Sequence, residues 1–224
     1  MKLTKEQIAK IDNKLASKGL VYEDIKLELL DHIASDTENV MIDKEIAFEI
    51  AFKEAFKKWK PQLKEESNAF WLPIWKKGPK LFIDKWAEQS KKQFLYSFLI
   101  LIVTSFLAAT IIVIYKNYAN QNIIEKIYKA ISFSVMVLLI LGRIFIFKSK
   151  IKTTFGSMYN VKFIVSIMWL IIELVKHRWG FDSRFSFSEV FLEILLGNYF
   201  LALAILPFRL LYKHFEFERK LSKV

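Results

Sequence analysis

Cysteine is absent from the 224 residues, and glycine (six), proline (four) and histidine (three) are scarce. Without a thiol there is no disulfide scaffold, no thiolate metal site and no cysteine nucleophile. Six glycines leave little material for a phosphate-cradling loop, and neither HExxH nor GxSxG occurs anywhere. No catalytic constellation, cofactor motif or metal-ligand spacing stands out, so the expectation is a protein that is not an enzyme and carries no cofactor. The start, MKLTKEQIAKIDNK, lacks the apolar core and small-residue cleavage site of a secretory signal, which predicts a head that stays in the cytoplasm.

What the chain has in quantity is apolar surface: 54% of its residues are hydrophobic and 16% aromatic. Charge is unevenly spread. Residues 1–60 hold 11 Lys and 12 acidic side chains, whereas residues 93–224 hold 16 basic and 7 acidic ones set between long apolar runs. The pattern predicts an all-α chain: a small cytoplasmic helical domain followed by a four-helix transmembrane bundle. The divisions expected are a helical domain at 1–61, a Trp/Lys-rich membrane-interface linker at 62–92, four spans within 93–213 and a basic tail at 214–224.

The spans are read at about 94–115, 130–147, 159–175 and 190–212. The first is 22 residues without a charge, enough to cross a hydrocarbon core. The third is the shortest and carries Lys162 and Glu173 near its ends. With four spans and the head inside, fifteen basic residues flank the inner side and six the outer, as the positive-inside bias requires. Both termini are therefore expected in the cytoplasm. Arg143 is read as snorkelling to the inner surface. Glu173 and Glu193, with Arg178 and Arg184 between them, have two readings: ion pairs closing the outer end of a hairpin, or an outward-facing polar site that binds a ligand or relays protons. Asn198 suits interhelical hydrogen bonding, Ser105 and Ala109 offer a small-residue contact, and Pro207 would kink or end the fourth helix.

Between head and spans, Trp71, Trp75 and Trp86 alternate with Lys76, Lys77, Lys80 and Lys85. Tryptophan favours the headgroup layer and lysine favours anionic lipid, so this segment reads as lying on a bilayer with anionic headgroups. Phe82 and Trp86, four apart, would share one face of it. Direct nucleic-acid binding also combines basic and aromatic residues but is set aside this close to a span.

The head itself reads as three helices. Thr4 and Gln7 make a capping box ahead of a stripe of Ile8, Ile11 and Leu15 that Gly19 ends. The second helix runs from about Tyr22 to Met41 with Ile25, Leu29, Ile33 and Val40 inward. The third is expected to be capped by Asp43, to bury Ile46, Ile50, Phe48, Phe52, Phe56 and Trp59, and to end at Pro61, with Ala47, Ala51 and Ala55 allowing close helix approach.

The run Glu28-Leu29-Leu30-Asp31-His32, followed by Ala47-Phe48, Ala51-Phe52 and Ala55-Phe56, resembles the helical HAAS-type domain of bacterial membrane proteins. The resemblance covers about residues 1–60 and the head-then-spans layout. It implies a bacterial inner-membrane protein with a regulatory or signalling role, often alongside PadR-like transcription regulators. Glu28, Asp31, His32 and Asp36 are then the residues expected to meet a protein partner. His32 and Asp36 share a helix face, but two ligands are too few for a closed zinc site. The alternative is an accessory subunit of a larger membrane transport or secretion complex, with Ser105, Ala109 and Asn198 facing a partner helix. A small channel using Glu173, Glu193 and Asn198 is a third class, and a homo-oligomer is left open.

Overall fold

The computed structural model describes residues 2–67, 77–114, 121–175 and 186–222. Its elements are α1 (Lys5–Ala16), α2 (Glu23–Lys44), α3 (Phe48–Trp59), β1 (Glu65–Ser67), β2 (Lys77–Pro79), α4 (Lys80–Ile114), α5 (Gln121–Lys148), α6 (Thr154–Val175) and α7 (Phe187–Leu221). The chain divides into two compact units. The first holds the residues up to Lys91 together with Lys150–Thr154 and the chain from Lys220 onward; the second holds Lys92–Ser149 and Phe155–Arg219.

The first unit, the head, begins as its sequence dictates. The Gln7 N–H donates to Thr4 Oγ1 at 3.3 Å while the Thr4 N–H donates to Gln7 Oε1 at 2.8 Å, satisfying two donors that α1 would otherwise leave open. Gly19, at φ 83°, takes the left-handed turn that lets the Leu20 N–H reach back to the Leu15 carbonyl at 3.3 Å. Ile11 and Leu15 are fully buried, but Ile8 is exposed. On α2, Ile25, Leu29 and Ile33 bury as expected; beyond them Thr37 and Met41 occupy the inward face and Val40 is only half-buried. Thr37 is tolerated there because its hydroxyl donates to the Ile33 carbonyl at 2.7 Å.

The junction of α2 and α3 departs from the expectation. Asp43 lies within the last turn of α2 and caps nothing; α2 ends instead at Glu45, which adopts the left-handed conformation at φ 51°. Helix α3 starts at Phe48 from an Ala47 N-cap with no side-chain hydrogen bond. Starting there turns Phe48, Ala51, Phe52 and Ala55 inward, and Ile50 is left 59% exposed rather than buried. The rings of Phe48 and Phe52 stack at 5.5 Å, and Phe56 meets Phe52 edge-on at 5.6 Å.

The head does not stop at residue 61. A two-stranded antiparallel pair, β1 with β2, aligns Glu65 with Pro79 and Ser67 with Lys77. Two further bonds, Lys80 N–H to the Lys64 carbonyl (2.8 Å) and Leu81 N–H to the Gln62 carbonyl (3.0 Å), bring the start of α4 against the end of α3. Phe82, Ile83, Trp86 and Ala87 on that part of α4 are buried. Phe82 stacks on Tyr22 at 4.8 Å and meets Trp86 edge-on at 5.4 Å.

In the second unit, apolar side chains such as Phe98, Leu107, Phe133, Leu138, Phe145 and Met168 are about half exposed or more. An apolar surface of that extent needs a non-aqueous surrounding. Among the described residues three helices are long and apolar enough to cross a membrane: Lys80–Ile114, Lys126–Lys148 and Thr154–Ile172. The shortest of the four runs read from sequence is thus among them; α7 is 35 residues long. Helix α7 passes through Pro207 without ending and continues to Leu221, so residues 214–221 are helix rather than a loose tail.

Close packing here rests on small residues. Asn198 Nδ2 donates to Ser105 Oγ at 3.3 Å, and Ala109 packs with Val190 and Ile194 in one buried cluster. Ser105 and Ala109, both fully buried, let α4 and α7 approach. Gly142 does the same for α6: the Tyr159 hydroxyl, which donates to the Leu139 carbonyl at 2.6 Å, lies 2.5 Å from where a Cβ on residue 142 would sit.

Candidate functional surfaces of the head

The residues expected to meet a partner lie on α2, and the head itself engages most of them. Glu28 forms an ion pair with Lys85. Asp36 accepts from Lys58 Nζ at 3.0 and 3.1 Å and from Trp59 Nε1 at 2.8 Å. Partial burial opposes ionisation of Asp36, but the Trp59 and Lys58 bonds overcome it and hold the carboxyl below the ordinary carboxylate range. His32 stacks on the Trp59 ring at 5.8 Å, so Trp59 is sandwiched into a contact with both residues of the i,i+4 pair. These three side chains tie α2 to α3 and to the start of α4. Glu28 and His32 remain exposed themselves. Asp31 is also exposed, as are Ser35, Asn39 and Ile42 farther along the helix. At spacings of four, four and three they form one continuous face.

The junction residues divide differently. Trp71, Trp75 and Lys76 lie outside the described residues. Lys77 is exposed and Lys80 half-buried. The reading of Trp86 as a headgroup anchor is corrected: it is 2% exposed, packed against Phe82 inside the head, so its ring is not available to lipid. A tryptophan beside lysines and ahead of a span has the same composition whether its ring faces lipid or a core. Here Tyr22 and Phe82 supply the core.

Of the outer polar residues, Arg178 and Arg184 lie outside the described residues, as do the side chains of Glu173 and Glu193 in α6 and α7. Lys162, counted with the inner flank, is bonded to Gln93 Oε1, and Gln93 is itself buried. Among the described residues no group of three or more His, Cys, Asp or Glu is placed to hold a metal ion.

One buried site was not anticipated. Asp24, 8% exposed, accepts through Oδ1 from the Thr154 backbone N–H at 2.8 Å and from the Thr154 hydroxyl at 3.1 Å. Beside it, the Glu23 N–H donates to the Lys152 carbonyl at 2.9 Å. Asp24 Oδ2 has no hydrogen-bond partner among the described residues. Burial pushes the carboxyl above its ordinary value, and the two Thr154 bonds only partly offset this. The start of α2 thus holds the short loop between α5 and α6 as a component of the head. Nothing local in the sequence marks the pairing, since the partners are 130 positions apart.

No family model, no curated protein and no solved structure matches this chain. They neither support nor contradict the HAAS-type resemblance, which stands on the α2 and α3 residues quoted for it.

Proposed function

We propose that this is a non-enzymatic, multi-pass inner-membrane protein of a bacterium, whose cytoplasmic head docks another protein and serves a regulatory or signalling role. The observation that carries the docking reading is the exposed face of Asp31, Ser35, Asn39 and Ile42. It offers a carboxylate, two small polar groups and an isoleucine that is 55% exposed at the end of a helix face. A helix presenting anchors at such spacings suits a groove on a partner. The neighbouring Glu28, His32 and Asp36 tie that helix to Lys85, Trp59 and Lys58, and Glu28 and His32 remain exposed beside the face.

The four-span topology is supported by which segments share the head. Residues up to Lys91, the loop Lys150–Thr154 and the end of α7 from Lys220 belong to one compact unit. A folded unit lies on one side of a bilayer, so an even number of crossings separates each segment from the next. Helices α4 and α5 supply one pair. Since α6 is long and apolar enough to cross, a return through α7 is what the shared head favours, and this supports the reading of four spans with both termini on the head's side.

The accessory-subunit reading placed Ser105, Ala109 and Asn198 against a partner helix. They face one another within this chain, which removes that support.

Photo-cross-linkers placed at Asp31 and at Asn39 of the full chain in living cells test the docking reading. The same protein is expected from both positions and not from Lys53, which is exposed on α3. Asp31→Lys is expected to abolish its capture from Asn39. Partners that differ between the two positions, or capture indifferent to Asp31→Lys, would remove the basis for a docking face on α2.

A further inference from the structure

At the opposite end of α3 from its N-cap the head carries a groove of about 480 Å³ lined by Lys18, Phe56, Lys57, Lys60, Pro61, Leu63 and Lys64. Its floor is apolar: Leu63 is buried and Phe56 half-buried. The wall is a tightly wound turn, with the Gln62 and Leu63 N–H groups donating to the Trp59 carbonyl at 3.0 and 3.2 Å. That winding fixes the backbone from which Lys60 and Lys64 project. Among the described residues no acidic one lines the groove.

All four lysines are exposed, and among the described residues none lies within ion-pair distance of a carboxylate. Elsewhere in the head Lys10, Lys26, Lys44, Lys58 and Lys85 each hold one, while Lys2, Lys5, Lys14 and Lys53 hold none among the described residues. What sets the groove lysines apart is that four of them converge on one apolar groove. The difference is visible within a single dipeptide. Lys58 turns to Asp36, while Lys57 lines the groove. Lysines in the last turn of α3 complement the negative end of its dipole, which accounts for residue 57. Lys18, next to the C-cap of α1, complements that helix in the same way, but neither dipole accounts for Lys64, past the turn.

We propose that this groove is a binding site for the headgroup of an anionic phospholipid. The phosphate sits among the four ammonium groups, and the glycerol and upper acyl carbons lie on Phe56, Pro61 and Leu63. Charge complementarity selects an anion, and the apolar floor selects one that carries a greasy end. A bilayer is within reach of every copy, because the same chain carries three helices suited to cross it. The inference rests on the membrane reading of those helices and is independent of partner docking at α2.

The test uses the full chain in nanodiscs of phosphatidylcholine alone or mixed with phosphatidylglycerol, with hydrogen exchange followed over residues 56–64. Exchange there is expected to slow several-fold when phosphatidylglycerol is present, and raised salt is expected to reverse the effect. The combined variant Lys18→Gln, Lys57→Gln, Lys60→Gln, Lys64→Gln is expected to lose the slowing while α1 and α2 exchange as before. Should that variant unfold, Lys18→Gln with Lys64→Gln leaves α3 intact and is expected to lose most of it. Equal exchange in the two nanodiscs would overturn the proposal. So would slowing that survives in the variants, that soluble polyglutamate reproduces with neutral lipid, or that follows protein density in place of lipid charge. The last two would assign the groove to an acidic peptide or to a second copy.

Discussion

Trp86→Ala is expected to destabilise the head by about 3–5 kcal/mol, the loss typical of removing a fully buried aromatic side chain and leaving its cavity. The ring is 2% exposed and lies edge-on to Phe82, which in turn stacks on Tyr22 at the start of α2. Its removal therefore loosens the attachment of α4 to α2 as well as the local packing. Hydrogen exchange across Ile25–Ile33 in the detergent-solubilised full chain reads the effect, since those residues are on α2 and nowhere near the substitution in sequence. A lipid-facing Trp86 would give the opposite pattern: unchanged exchange in α2 and weaker membrane association. That pattern would restore the anchor reading and undo the account of the head's boundary.

The second large effect is expected at Asp24. Asp24→Ala removes the acceptor for the Thr154 N–H and hydroxyl, both buried, and a buried donor left unpaired costs about 1–3 kcal/mol. Asp24→Asn should behave differently, because its amide oxygen keeps the acceptor without a charge. The carboxyl's value is raised in the folded head, chiefly by burial. The native state therefore holds its proton more tightly than the unfolded chain does. This group's favourable contribution is complete below the unfolded value, about 3.9, and is lost as pH rises through the native one. The wild-type head should accordingly lose stability with rising pH across that window, and Asp24→Asn should remove the slope and be at least as stable at neutral pH. Thermal unfolding of the three proteins from acidic to neutral pH distinguishes these outcomes. An Asp24→Asn protein as weak as Asp24→Ala would mean that the charge itself, acting on the start of α6, holds the loop.

The residues also show why some of the architecture was legible and some was not. The start of α1 was readable because a capping box is a local pattern, and Thr4 and Gln7 make it with both bonds present. Ile25, Leu29 and Ile33 were readable because helical period alone selects them. Ser105 and Asn198 were recognised as interhelical groups from chemistry, although only the fold shows that they meet each other. The β1–β2 pair was missed because three-residue strands carry no period. Asp43 looked like a cap because aspartate favours that position, yet α2 runs past it to the left-handed Glu45. That shift also put Ile50 outward. The Asp24–Thr154 contact and the basic groove join segments that only folding brings together. A composition rule cannot separate Trp86 from a lipid-facing tryptophan, and a pattern of lysines cannot distinguish those that meet carboxylates from those that do not.

One head is assembled from the N-terminal region, the loop between α5 and α6, and the end of α7; the proposed topology puts all three on one side of a membrane. Since the sequence contains no cysteine, single cysteines are clean reporters. The measurement is labelling of Ser35→Cys, Lys150→Cys and Ser222→Cys, with Asn117→Cys and Ser183→Cys in the two expected outer loops, by a membrane-impermeant thiol reagent in intact and permeabilised cells. The account predicts that the first three react only after permeabilisation and the last two in intact cells. Labelling that puts Ser222→Cys on the opposite side from Lys150→Cys would contradict it, leaving three spans and a head that cannot include the end of α7.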